Sequence, residues 1–246
     1  MCILCGDERH VPAAARRAFL KAGAAVALAP WLGNEALAAE ALAPDAAPPP
    51  NAIAPADALK RLLDGNVRYA ANNPTERDFS SGRAARAQAQ FPIAGILSCA
   101  DSRVVPDLVF DQSPGDLFVV RVAGNIVTPS LLASLEYGVQ FLGVPIILVL
   151  GHSGCGAVSA AIKTAQSDAK LPGHLPELIG AIKPAVAIAE RKKTGTLLDN
   201  TIAENVRQQV ARLKTAAPIV QKAYRDKRID ITGGVYDIAT GKITLV

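Results

Sequence analysis

The sequence predicts an α/β domain with a mainly parallel four-stranded sheet flanked by helices, and an antiparallel edge strand at the C-terminus. Short apolar runs alternate with longer segments whose apolar residues recur at helical spacing. After Pro145, the run to residue 150 contains only Ile, Leu and Val, as expected for a strand that is covered on both faces. A short turn around Gly241 joins the last two apolar runs, which predicts the antiparallel pair.

Local signals set the bounds of each predicted element. The predicted strands span residues 93–98, 117–122, 145–150, 229–237 and 243–246. The predicted helices span residues 55–72, 128–142, 154–164, 175–193 and 198–214. Pro129 suits the first turn of its helix, and Thr128 is expected to cap that helix. Pro184 is expected to kink the helix at 175–193, because proline cannot donate a backbone hydrogen bond.

Composition narrows the class of protein. The chain has 246 residues, of which 50% are hydrophobic, enough for one sizeable core but few for two large domains. The formal net charge of +4 arises from interspersed charges without a long block of one sign. Because a mild excess of this kind is weak evidence for a nucleic-acid partner, and no DNA- or RNA-binding signature is present, we expect none.

The first 43 residues have the pattern of a twin-arginine-type signal segment. Arg16 and Arg17 precede an apolar run at 22–32, and small residues suited to cleavage follow. The run is shorter than the ~20 residues that span a bilayer, so no stable membrane span is expected. This pattern predicts a periplasmic or secreted protein. A cytoplasmic protein with an uncleaved N-terminal helix and an uncleaved membrane tether are the alternatives.

The chain after this segment divides into a linker and a folded domain. Residues 44–54 are rich in Pro and Ala and predict a stiff linker, and residues 55–246 form the predicted catalytic domain. Cys2 and Cys5 make a C-x-x-C pair in the leader. This pair could bind a metal or act in redox chemistry, but we interpret it as leader sequence because it lies outside any plausible folded unit.

Three metal-ligating residue types follow the ends of predicted strands. Cys99 closes the first strand, and His152 and Cys155 follow the third strand in a Gly-rich turn. The spacing of His152 and Cys155 would place both side chains on one face of a first helical turn. Two thiolates and one imidazole suit Zn²⁺ in tetrahedral coordination. A disulfide between Cys99 and Cys155 is the main alternative.

A possible acid–base pair lies next to Cys99. Asp101 and Arg103 follow at intervals of two residues, so in an extended segment their side chains would point the same way as that of Cys99. A bidentate ion pair with Arg103 would keep the Asp101 carboxylate ionised and fix its direction. With three protein ligands the zinc site is catalytic if water takes the fourth position, and closed if a side chain such as Asp101 takes it.

Taken together, these residues resemble the β-class carbonic anhydrases. The family's two signatures, C-x-D-S-R and H-x-x-C, occur as residues 99–103 and 152–155. Supporting stretches of the same family are matched at residues 115–121, 123–125 and 234–237. The resemblance covers roughly residues 55–246 and is highly specific because two ordered motifs and three further stretches agree.

The resemblance implies reversible hydration of CO₂ to bicarbonate and a proton, by hydroxide bound to one zinc ion per subunit and oriented by Asp101 and Arg103. It also implies a homodimer or higher even oligomer with the active site near the subunit interface. Gln90 matches a residue that donates a hydrogen bond to substrate, and Phe118 and Tyr137 match apolar pocket positions. Gln90 could instead be a solvated loop residue, and the two aromatic residues could be core.

Two other functions remain open at this point. A hydrolase of COS or CS₂ would use the same scaffold and ligands, with a different path to the metal. A non-catalytic zinc-binding protein would not need an oriented carboxylate, so Asp101 and Arg103 argue against it. His174 could shuttle protons, although its Pro/Gly-rich loop favours an ordinary surface residue.

Overall fold

The computed structural model of the chain describes residues 48–167 and 170–246. The predicted signal segment, including Cys2 and Cys5, lies outside the described residues, and export by a twin-arginine route stays a prediction. The strands are β1 (Ala94–Ser98), β2 (Leu117–Arg121), β3 (Ile146–His152), β4 (Asp230–Tyr236) and β5 (Ile243–Leu245).

The five strands form one sheet in the order β2-β1-β3-β4-β5. The pairs β1–β2, β1–β3 and β3–β4 are parallel, and β5 is antiparallel to β4 at the edge. The predicted fold class is therefore confirmed. All residues of β1 and β3 are buried, which explains why these strands are apolar up to their last residues, Ser98 and His152. Because neighbouring parallel strands end at the same edge, the residues that follow β1, β2 and β3 converge there.

Helices cover both faces of the sheet. They are α1 (Pro55–Ala70), α2 (Arg83–Gln88), α3 (Pro106–Val109), α4 (Pro129–Phe141), α5 (Gly156–Ala165), α6 (Leu175–Gly180), α7 (Lys183–Ala189), α8 (Leu197–Lys214) and α9 (Ile219–Arg225). The short helices α2, α3 and α9 were not predicted. Each has fewer than two full turns, too few residues for a clear apolar period.

The hydrophobic core has two layers, one on each face of the sheet, and alternate strand residues contribute to each layer. Ile96 faces α1 and α3 in a cluster that includes Leu62, whereas Leu97 faces α4, α8 and α9 in a cluster that includes Val206. Successive residues of a strand point to opposite faces, so adjacent residues of β1 serve different layers. A third buried cluster lies at the carboxyl ends of the strands and includes Cys99. This cluster surrounds the candidate site.

Two local predictions were wrong. The segment 175–193 forms two helices, α6 and α7, rather than one kinked helix. Pro184 lies in the first turn of α7, where a backbone N–H is not required, so it helps to begin a helix instead of bending one. Thr128 occupies the N-cap position of α4 but makes no side-chain capping hydrogen bond.

The folded part begins before α1. Asn51 is only 2% exposed, and its side chain donates hydrogen bonds to the carbonyl oxygens of Pro92 at 3.1 Å and Leu142 at 2.7 Å. These bonds attach the end of the predicted linker to the sheet layer. Among residues 48–167 and 170–246, no helix combines the length and apolar character needed to cross a membrane.

Candidate metal centre

Three potential metal ligands meet at the carboxyl edge of the sheet. Cys99, His152 and Cys155 are buried, and each offers a ligand atom within 4.8 Å of the others. Both cysteines are free thiols. The separation suits one ion with ligand bonds of about 2.0–2.3 Å. Two sulfurs and one imidazole nitrogen are a donor set that zinc prefers.

The local backbone differs from the predicted first helical turn. His152 is the last residue of β3, which continues beyond the predicted end at 150 because His152 pairs with Tyr236 of β4. Cys155 is the N-cap residue of α5, which begins at Gly156. A tight turn, with Gly154 at φ 66°, therefore brings the histidine and the cysteine together.

The hydrogen bonds of His152 leave one ring nitrogen free to bind a metal. Nδ1 lies 3.0 Å from the carbonyl oxygen of Ser153, an acceptor, so Nδ1 carries the proton and Nε2 carries the lone pair. Nε2 is buried and has no hydrogen-bond partner within the part of the chain that the structure describes. An unpaired buried nitrogen is costly, and a metal ion would remove that cost. The site therefore fits a metal by its own geometry.

The two thiols share a strongly coupled environment. A hydrogen bond with Cys155 holds the pKa of Cys99 well below its usual value, against the effect of burial, with further help from His152 and the Gly124 N–H. The same contact with Cys99, together with burial, raises the pKa of Cys155. Burial disfavours protonation of His152, but the nearby Cys99 sulfur, the Ser153 carbonyl oxygen and the Asp101 carboxylate together outweigh burial and raise the pKa of His152. Negative charge on Cys99 makes the cluster attractive to a cation.

Asp101 and Arg103 form a two-bond ion pair beside the cluster. Arg103 donates from Nε to Asp101 Oδ1 at 2.9 Å and from Nη2 to Oδ2 at 2.7 Å. The segment is a turn rather than the expected extended stretch, because the Arg103 N–H also bonds Asp101 Oδ1 at 3.0 Å. Hydrogen bonds from Arg103 hold the pKa of the Asp101 carboxyl well below its usual range, although burial acts the other way.

The Asp101 carboxylate lies close to the three ligands. Its Oδ2 atom is 3.9 Å from Nε2 of His152, and the carboxylate side chain is 18% exposed. This position is close to the candidate ligand nitrogen and still open to solvent. An ionised carboxylate there can accept a hydrogen bond from a small molecule next to the ion.

Sequence reasoning gave no role to two residues that support Cys99. The Gly124 N–H lies 3.3 Å from Cys99 Sγ. Arg121 donates to the carbonyl oxygens of Cys99 at 3.0 Å and Asp101 at 2.7 Å. Both residues lie at or just after the end of β2, beside β1. Parallel strands end at one edge of the sheet, which is why Cys99 and His152 meet there. The same reasoning applies to residues at the carboxyl end of β2, so it could have predicted that Arg121 and Gly124 lie near Cys99.

The structure does not bring Gln90, Phe118 or Tyr137 to the metal ligands of the same chain. Gln90 is exposed and precedes β1. Phe118 is level with Gly95 in the sheet, four residues before Cys99, or about 13 Å along a strand. The rings of Phe118 and Tyr137 lie 6.3 Å apart. These three residues therefore lie toward the opposite ends of the strands. His174 is exposed at the start of α6.

Comparison with known proteins identifies the family. The family model described as "Carbonic anhydrase" matches residues 94–243, which include the three clustered ligands and both strands that carry them. The chain belongs to the β-class carbonic anhydrase family. A carbonic anhydrase of Mycolicibacterium smegmatis is 36% identical over 194 residues, covering 78% of this chain and 93% of that protein.

Other carbonic anhydrases match a similar share of this chain. Carbonic anhydrase 2 of Mycobacterium tuberculosis is 37% identical over 193 residues, covering 78% of this chain and 92% of the relative. Among solved structures, the β-carbonic anhydrase CcaA has a TM-score of 0.59 at 29% identity and covers 76% of this chain and 94% of its own. The Coccomyxa β-carbonic anhydrase in complex with acetazolamide has the same TM-score and identity, over 76% of this chain and 86% of its own.

Proposed function

We propose that this carbonic anhydrase hydrates CO₂ reversibly to bicarbonate and a proton, with Zn²⁺ held by Cys99, His152 and Cys155. The observation that carries the proposal is the buried cluster whose three ligand atoms lie within 4.8 Å of one another. A bound zinc ion lowers the pKa of a coordinated water to about 7 and so supplies a nucleophile at neutral pH. Membership of the family supports CO₂ as the substrate.

Asp101 is the residue that orients the water consumed in the reaction. Its Oδ2 atom is 3.9 Å from His152 Nε2, and the carboxylate is not one of the three clustered ligands. Arg103 donates two hydrogen bonds to Oδ1 and one to Oδ2, so the remaining lone pair of Oδ2 can accept a proton of that water. A carboxylate held ionised by Arg103 cannot donate a hydrogen bond, so it accepts one and aims the oxygen lone pair at CO₂.

The rest of the pocket comes from a second copy of the chain. Gln90, Phe118 and Tyr137 are too far from their own cluster to contact its substrate. Tyr137 is 48% exposed and Phe141, one helical turn further along α4, is 60% exposed; their rings lie 5.2 Å apart. We propose that a homodimer or higher even oligomer buries these aromatic rings and brings Gln90, Phe118 and Tyr137 to the partner's site.

Stopped-flow measurement of CO₂ hydration, with zinc content determined on the same sample, tests this function. We expect Asp101→Ala to keep one zinc ion per chain and to lose about 10²-fold or more of the hydration rate, the usual range for a group that manages a proton. Zinc content is retained because Asp101 lies outside the three-ligand set.

Asp226→Asn is the matched control. Asp226 also pairs with a basic side chain, Lys222 at 2.7 Å, but it lies four residues before β4, at the opposite edge of the sheet from Cys99. This variant should hydrate CO₂ at the parental rate. Full hydration activity in Asp101→Ala would refute the role of Asp101, and a well-folded protein that binds no zinc would refute the proposed function.

A further inference from the structure

The Cys99 sulfur accepts a hydrogen bond from a backbone turn that contains none of the three candidate metal ligands. The turn is Ala123–Asn125, and the Gly124 N–H lies 3.3 Å from Cys99 Sγ in a buried environment. An N–H donor stabilises negative charge on a thiolate and so affects how strongly the sulfur binds a cation. The strength of this bond depends on how firmly the turn is held.

Two buried amide side chains of α8 hold this turn. Asn205 and Gln209 are 1% and 3% exposed and lie one helical turn apart on the same face. Asn205 Nδ2 donates to the Gly124 carbonyl oxygen at 2.8 Å, and Gln209 Oε1 accepts from the Val127 N–H at 2.9 Å. Gln209 Nε2 donates to Asn205 Oδ1 at 3.3 Å, so each amide fixes the orientation of the other.

Gly124 is held from opposite directions. Its carbonyl oxygen bonds Asn205 while its N–H bonds Cys99. A β-carbon built on Gly124 would lie only 2.6 Å from Ile182 Cδ1, which shows how closely the turn packs on that side. The N–H and the carbonyl group of Gly124 lie in the two peptide planes that meet at its Cα atom, so a shift of that atom displaces both bonds.

We propose that Asn205 is a positioning residue for the metal centre, which keeps the Gly124 N–H on the Cys99 sulfur and thereby strengthens zinc binding. The inference rests on the proposed function in one respect, that the cluster of Cys99, His152 and Cys155 binds zinc. Loss of a residue that orients a metal ligand through hydrogen bonds commonly weakens metal binding by about 10–100-fold. Among the described residues, Asn205 makes no hydrogen bond to the candidate ligands or to Asp101, and its hydrogen-bonded path to Cys99 runs through Gly124.

The test compares Asn205→Leu with Asn66→Leu in the full-length protein. Asn66 is 5% exposed, and its side chain makes three bonds of comparable length, to Val109 O at 3.0 Å, Gly241 O at 2.8 Å and Ile243 N at 2.9 Å. Both variants remove a buried amide, but only Asn205 bonds the turn beside Cys99. Zinc affinity is measured by competition with a chromophoric chelator, and the sulfur-to-metal charge-transfer band is recorded after substitution with cobalt(II).

We expect Asn205→Leu to bind zinc about 10-fold more weakly or worse, with a shifted charge-transfer band, and Asn66→Leu to match the parent in both measurements. Parental zinc affinity in Asn205→Leu would overturn the inference. So would equal losses in both variants, or weaker binding with an unchanged band, since the effect would then not pass through the sulfur. If Asn205→Leu does not fold, Asn205→Asp, which keeps the shape and removes the donor, is judged by the same criteria.

A measurement on the unaltered protein checks the bond itself. With cadmium-113 bound in place of zinc, the Gly124 amide proton should show scalar coupling to the metal nucleus through Cys99 Sγ. Absence of that coupling would overturn the inference without any variant. A parent that binds zinc tightly but does not hydrate CO₂ would refute the proposed function alone, because the affinity and spectral comparisons need no turnover.

Discussion

Replacing Gly124 with alanine tests whether the turn beside Cys99 is as constrained as its geometry indicates. Gly124 has φ 74°, a conformation that costs a residue with a β-carbon about 1–2 kcal/mol. The new β-carbon would lie 2.6 Å from Ile182 Cδ1 and 3.3 Å from the β-carbon of Ala157. Ile182 is fully buried, so it has little space into which to move.

The expected cost combines the two effects. Forcing a methyl group into a packed core costs about 1–3 kcal/mol, which with the backbone strain gives a loss of about 2–5 kcal/mol in the free energy of unfolding. The relaxation that relieves the contact should also move the Gly124 N–H away from Cys99 Sγ. Gly124→Ala is therefore expected to bind zinc more weakly as well as to unfold more easily.

Urea unfolding of the zinc-loaded protein, at one protein concentration, measures this loss. Gly173→Ala is the matched control, since Gly173 also has a positive φ, 55°, but a β-carbon there would meet nothing within 4 Å. It should lose only the backbone contribution of about 1–2 kcal/mol. Adding Ile182→Val to Gly124→Ala removes the clashing Cδ1 atom and should recover part of the loss, seen as coupling in a double-mutant cycle.

The reasoning is refuted if Gly124→Ala loses no more stability than Gly173→Ala, because the contact with Ile182 would then have no measurable cost. Purely additive effects of Gly124→Ala and Ile182→Val would also contradict it. A Gly124→Ala protein of much lower stability but parental zinc affinity would separate the packing of the turn from its role at the sulfur.

Two further predictions concern the buried ion pairs and the exposed aromatic surface. Asp111 is 1% exposed and bonds Arg68 and Arg77, so Asp111→Asn should lower the free energy of unfolding by about 3 kcal/mol at pH 7 in urea titrations. Burial alone would raise the pKa of Asp111, but these hydrogen bonds outweigh burial and lower it. The ionised group therefore stabilises the fold above about pH 4 and does so less as the pH falls. A difference in the free energy of unfolding between the parent and Asp111→Asn that is as large at pH 3 as at pH 7 would contradict this. Replacing Tyr137 and Phe141 together with serine should reduce both the mass measured by sedimentation and the CO₂ hydration rate, whereas an unchanged mass would argue against this surface as the subunit contact.

Much of the architecture could be predicted from local sequence patterns. Apolar runs and helical spacing predicted the five strands and the long helices, because these signals depend on a few neighbouring residues. The positions of Cys99 and His152 at the ends of neighbouring strands predicted a shared edge, since parallel strands end on one side of a sheet. The ligand types themselves indicated zinc, because that preference is a property of sulfur and nitrogen donors.

Other features depend on contacts between residues far apart in the chain. The bond between Asn205 and Gly124 joins α8 to a turn beside β2, and no local pattern in either segment predicts it. Strand β3 extends to His152 because this residue pairs with Tyr236 of β4. The segment after Cys99 forms a turn instead of the expected extended stretch, since Asp101 accepts a hydrogen bond from the Arg103 N–H. The sequence by itself therefore determined which residues could hold a metal and at which edge of the sheet. Only the tertiary structure decided how those residues are held, because buried hydrogen bonds form between whichever groups the packing brings into contact.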